Sequence, residues 1–167
     1  MKPELGPQFA ALKYFVGQWK TTMRMRCSGP DGPATETAGA TQTRLVLDGR
    51  LLQEDFAGEM VMPGPDGKLQ HLSFQGLGLT GFDISRNLYF STWTDNMGGG
   101  LMVLRGSVDG TGKVFTYYGE MDDPQRKIRE RMVKTVVRIA GDNKYTFEMH
   151  DLYGGETPMF EIAYERK

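Results

Sequence analysis

Two histidines, His71 and His150, are the side chains best suited to move protons near neutral pH. His150 follows Glu148 and precedes Asp151, so an inward-facing imidazole there could serve as an acid or a base. Strand parity argues for the other side. Tyr145, Phe147 and Met149 claim the apolar face of that segment and leave His150 on the polar one. A zinc site would need three or four Cys, His or carboxylate ligands. The single cysteine, Cys27, lies far from both histidines with no paired spacing, so no metal is expected. Asp95 ends the run Trp93-Thr94-Asp95 just before Gly98-Gly99-Gly100 and could stand at a cavity mouth. A turn carboxylate accepting bonds from nearby amides is the better account of it, and of Asp83 as well.

Anchoring is the other chemistry on offer. Arg105 shares a parity with Leu101, Val103 and Ser107. A buried arginine must be paired, so an inward Arg105 would mark the place of an anionic head group, with Tyr117 beside it. An exterior salt-bridged ladder is the stronger expectation for Arg105. Glu130 and Arg131 face opposite ways, so one of them points inward. Trp19, Met23, Phe56, Phe74, Phe90, Trp93 and Phe115 are the candidate walls around such an anchor. The 11 methionines suit an adaptable apolar lining, although core filling explains most of them. Gly76-x-Gly78-x-x-Gly81 has the spacing of a dinucleotide fingerprint, but no helix follows it and no βαβ unit surrounds it. No Ser–His–Asp order, phosphate loop or paired-carboxylate motif is present, and no cofactor is expected.

The elements that would position these residues are strands. Trp19, Thr21, Met23 and Met25 alternate with Lys20, Thr22, Arg24 and Arg26, as a half-buried strand requires. Phe160, Ile162 and Tyr164 alternate with Glu161 and Glu165. Turn signals such as Pro30-Asp31-Gly32, Asp48-Gly49, Pro65-Asp66-Gly67 and Gly141-Asp142-Asn143 separate segments of the length that barrels and sandwiches use. About ten strands follow, at 17–26, 39–47, 50–61, 69–83, 88–95, 101–108, 113–121, 129–140, 144–151 and 158–166. One short helix is expected over Pro7 to Phe15, stopped by Gly17. An all-β, antiparallel up-and-down meander has two edges to hide, and closure into a barrel hides them, with the helix plugging one end. A two-sheet sandwich is the alternative.

The 167 residues fit one domain, 1–167, with no linker or repeat inside it. A net charge of -1 leaves no basic excess for a nucleic-acid backbone. No polybasic run or long apolar run offers a hold on a membrane. A lone cysteine and a polar Met1 to Pro7 favour a reducing, cytoplasmic setting.

The segment Leu12-Lys13-Tyr14-Phe15-Val16-Gly17-Gln18-Trp19 resembles the helix-then-Gly-x-Trp opening of lipocalins and other calycins. The stretch Phe74 to Asp83, then Tyr89 and Trp93-Thr94-Asp95, and the ending from Gly155-Glu156 to Lys167, resemble a bacterial lipocalin-like family known as the 1579 domain of unknown function. The resemblance runs from about Phe9 to Lys167 and implies the barrel, with Trp19 packed under the helix at a closed end. It implies no catalytic residue. Haem-binding calycins open with Gly-x-Trp-x-Gly-x-Gly; here Lys20, Thr21 and Thr22 follow Trp19, and His150 precedes the last strand. The expected function is therefore binding of a small hydrophobic or amphipathic molecule inside the barrel. An enzyme using His150, Asp95 or Glu130 is one alternative. A filled structural or partner-binding barrel, whose outer face could also carry a homodimer, is the other.

Overall fold

A computed structural model describes residues 4–26, 31–123 and 127–167. Cys27 and Pro30 lie outside the described residues, as do Met1 to Pro3. A helix, α1 (Pro7–Ala10), runs directly into a 3-10 turn, Ala11–Phe15. Ten strands follow: β1 (Gly17–Met25), β2 (Thr35–Val46), β3 (Leu51–Pro63), β4 (Leu69–Asp83), β5 (Leu88–Asp95), β6 (Met102–Val108), β7 (Val114–Asp123), β8 (Ile128–Ile139), β9 (Lys144–Asp151) and β10 (Phe160–Arg166). Every neighbour in sequence is an antiparallel neighbour in space, and β1 also pairs with β10, which closes the barrel. The meander, the closure and the strand positions match the sequence expectation. β2 starts four residues earlier than the alternation predicts, because Thr35 to Ala38 extend the ladder with Thr22 to Met25. The expected helix is split into two tight pieces. No side chain caps its start, and a helix this short has little cooperativity to hold a uniform geometry.

The N-terminal piece plugs one end. Phe9, Leu12 and Phe15 are buried against Trp19, which is fully buried. Trp19 Nε1 donates to the Phe15 carbonyl at 2.9 Å, and Thr43 Oγ1 donates to the same carbonyl. Arg166 closes the ring from the far end of the chain. Its guanidinium donates to the carbonyls of Val16 (2.7 Å) and Tyr14 (2.8 Å) and lies 4.1 Å from the Trp19 ring. Gly17, with φ of 139°, leaves the space this requires, since a Cβ there would sit 2.6 Å from Arg166 Nη1. The Tyr14 hydroxyl ties the plug to the β8–β9 turn through the Gly141 and Lys144 carbonyls.

At the opposite end, Arg131 turns inward between β7 and β9. It donates to Asp123 at 2.8 Å and to Asp151, and all three side chains are largely buried.

Candidate functional site

Above the plug lies a cavity of about 140 Å³. It runs from Phe15, Phe115 and Tyr145 to Phe74, Met102 and Phe160 nearer the other end. Alternation places its wall. On β3, Leu52, Glu54 and Phe56 point inward while Gln53 and Asp55 point out.

One side of the wall is an aromatic cluster. Phe56 and Phe74 meet edge to face with centroids 5.6 Å apart, and Trp93 lies 6.4 Å and 6.3 Å from them. The Trp93 indole lies over Gly76 and Gly78. A Cβ on Gly76 would fall 2.0 Å from Trp93 Cζ2, so no larger residue fits with the ring where it is. The glycine spacing that mimics a nucleotide fingerprint thus makes room for an indole. Asp95 fixes that ring by accepting from Trp93 Nε1 at 3.1 Å. Its other oxygen accepts from the Met97 and Gly98 amides, so Asp95 is the expected turn carboxylate with one added task.

Beside this cluster, two residues from Phe56 on β3, lies Glu54. It pairs across the ladder with Thr43 and Gly78. Its Oε1 accepts from the Tyr164 hydroxyl at 3.3 Å and lies 3.1 Å from Thr41 Oγ1. Tyr164 stacks on Tyr145 with centroids 4.0 Å apart. Glu54 is half-buried, and it borders the cavity. Burial raises the Glu54 carboxyl above its ordinary range, against the lowering effect of Thr41 and Tyr164. Burial also raises the hydroxyls of Tyr145 and Tyr164, with Tyr164 and Glu54 the next causes for the first and Glu54 for the second.

This shift has a stability consequence. Between the ordinary glutamate range and the raised native value, the folded chain keeps a proton that the unfolded chain has released. The stabilisation is complete below the ordinary range and is lost as pH rises through the native value. A Glu54→Gln variant can keep an oxygen that accepts from Thr41 and Tyr164, and it has no titrating proton. Its melting temperature should gain on the wild type as pH rises from about 4 to 8. A gap independent of pH would contradict this placement of Glu54.

Two buried hydroxyls, Thr21 Oγ1 and Thr135 Oγ1, have no hydrogen-bond partner among the described residues. Thr135 is fully buried and lines the cavity. A lost hydroxyl bond costs about 1 kcal/mol, so Thr135→Val should stabilise the unliganded protein by about that much. Thermal melting of the pair checks it, and a lower melting temperature for the variant would count against an orphaned hydroxyl.

The structure brings together Phe56, Phe74, Trp93, Phe115 and Tyr117 in the wall. Burial pushes the Tyr117 hydroxyl well up. Trp19 and Met23 are inside the barrel but packed as core rather than exposed to the cavity. One expected wall residue, Phe90, and one candidate anchor, Arg105, lie outside the cavity. Phe90 faces outward, because Tyr89, Ser91 and Trp93 hold the inward parity; it pairs with Gly81 and Arg105 on the outer surface. Arg105 is exposed and stands opposite Tyr118, not Tyr117, so it anchors nothing in the interior. Arg131 does point inward, but two aspartates hold its guanidinium and it is not part of the cavity wall.

The proposed proton-transfer groups do not meet. His150 bonds Glu148 and the Glu156 carbonyl on the outer side, and His71 pairs with Glu59 in solvent. Glu130 is exposed, with its amide donating to Asp122. Among the described residues no group of three His, Cys, Asp or Glu side chains could hold a metal, and no helix is long and apolar enough to cross a membrane.

A family model described as "Protein of unknown function (DUF1579)" matches residues 4–166. No curated protein matches the chain. Among solved structures, a de novo designed fluorescence-activating β-barrel is similar at 13% identity and a TM-score of 0.46, covering 94% of this chain and 97% of that one. A redesigned β-barrel is similar at 13% identity and a TM-score of 0.43, covering 94% and 95%.

Proposed function

The chain belongs to the DUF1579 family, whose function is unknown, and from that premise we propose that its barrel binds one small, mostly apolar molecule carrying a polar group. The cavity is the observation that supports this. A void of about 140 Å³ is close to the size that admits a single aromatic ring in an engineered protein core. An interior meant only for stability would be packed shut. Its lining is largely apolar, with Glu54, Thr135 and the tyrosine hydroxyls as the few polar points, which is how ligand pockets combine affinity with orientation. The enzyme alternative needs two acid–base groups within reach of each other, and His150, Asp95 and Glu130 are apart.

Native mass spectrometry of freshly purified protein, with a denatured control, tests the reading. The expected result is one small molecule per chain that the denatured sample has lost. An empty chain whose melting temperature ignores single-ring compounds such as toluene, phenol and benzylamine would overturn it.

A further inference from the structure

Resting on that cavity reading, we propose that the ligand is a small organic ammonium ion, its charge set against the Glu54 carboxylate and its body among the rings of Phe56, Trp93 and Tyr164. Among the described residues Glu54 is the one carboxylate in the cavity wall, and no Lys, Arg or His lines the cavity with it. The elements around it supply neutral groups only: Thr41 and Thr43 from β2, Gly78 from β4, Tyr145 from β9 and Tyr164 from β10. Its neighbour Asp55 points outward to Arg44. A buried carboxylate needs a counter-charge, and the protein provides none at this place. A carboxylate ligand would set a second acid beside Glu54, with no cation in the lining to pair with either.

The surroundings suit a cation. A Cβ built on Gly78 would lie 3.6 Å from Glu54 Cβ and 3.3 Å from Trp93 Cε3, so the acid and the indole flank the same gap. Indole and phenol faces attract ammonium groups electrostatically, and the attraction grows as water is excluded. The cavity volume limits the guest to about one ring with a short amine arm.

Thr41 gives the site two hydrogen-bonding states. Its Oγ1 lies 3.1 Å from Glu54 Oε1 and 3.1 Å from the Asp55 carbonyl, and it has one hydrogen to give. In the empty barrel that hydrogen is shared between Glu54 Oε1 and the Asp55 carbonyl. A bound ammonium favours the charged carboxylate, so it draws the Thr41 hydrogen to Glu54 and lowers the carboxyl that burial has raised. Binding on the acidic side of neutral therefore releases protons, COOH plus R–NH3⁺ going to COO⁻···R–NH3⁺ plus H⁺, with one per ligand as the upper bound.

Titration calorimetry of the full chain with benzylamine, benzyl alcohol and benzoate, each in phosphate and in the zwitterionic buffer ACES at one pH on the acidic side of neutral, tests this. Benzylamine should bind most tightly, with a buffer dependence that shows net proton release. Benzoate should not bind. Glu54→Gln should weaken benzylamine about tenfold to a hundredfold and abolish the buffer dependence, with circular dichroism and a cooperative thermal melt reporting that the variant is folded. Benzyl alcohol or benzoate bound as tightly as benzylamine, or benzylamine bound without proton release, would overturn the ammonium assignment and leave the cavity reading standing. If none of the three binds, both fall.

Discussion

Replacing Trp19 with alanine will cost about 4 kcal/mol of folding stability, more than any other single truncation in the plug. The indole is fully buried, so the variant loses its transfer energy and leaves a void that the rigid ring of strands cannot close. Three specific contacts go with it: the Nε1–H bond to Phe15, the edge-to-face contact with Tyr145 at 4.8 Å and the Arg166 guanidinium above the ring. A domain of this size has only about 5–15 kcal/mol in hand. The urea midpoint should therefore fall steeply with the slope unchanged. Trp19→Phe keeps most of the packing and loses the N–H, so it should cost about half as much. A loss below about 1 kcal/mol for the alanine variant would mean that the plug does not depend on this residue.

The second large effect is expected at the other end. Arg131→Ala removes the guanidinium that bridges Asp123 and Asp151, two largely buried carboxylates. Removing one partner from a buried ion pair costs several kcal/mol, because the remaining charge keeps its desolvation penalty and loses the attraction that offset it. A loss of about 3 kcal/mol is the expectation. The exposed Arg44–Asp55 bridge serves as the contrast. Both of its side chains remain about half in solvent, so Arg44→Ala should change stability by less than about 1 kcal/mol. Chemical denaturation of both variants gives the comparison, and equal losses would show that burial is not what makes the Arg131 cluster matter.

The barrel was readable because a closed, up-and-down sheet writes its rules locally. Hairpin turns and period-two alternation are properties of neighbouring residues, and they placed β4, β5 and β9 with the bounds the structure has. Which face is inside is a non-local fact, and there the reading divided. Phe90 and Trp93 have opposite parity on one strand, so they could not both line the cavity. Tyr89 and Phe90 are equally apolar, and only the register with β4 and β6 tells them apart. Arg105 was ambiguous for the same reason.

Glu54 went unseen although its signal was present. Leu52, Glu54 and Phe56 share a parity, so an acid between two buried apolar residues could have been noticed from the strand alone. Its partners could not. Tyr164 comes from the last strand, 110 residues away, and reaches Glu54 only because β10 has closed on β1.

Biosynthesis meets the same closure as a timing problem. Arg166 and Val16, bonded in the finished plug, are 150 residues apart. A nascent chain translated at the usual rate takes roughly ten seconds to extend from β2 to β10. Throughout that interval β1 has a neighbour on one side only, and the newest strand offers a second raw edge to whatever lies near the ribosome. The half-built sheet also shows its future lining, including Phe56, Phe74 and Trp93, to solvent. The finished ring has no edge at all, so this protein's exposure to aggregation is concentrated in its synthesis and refolding rather than in its working life.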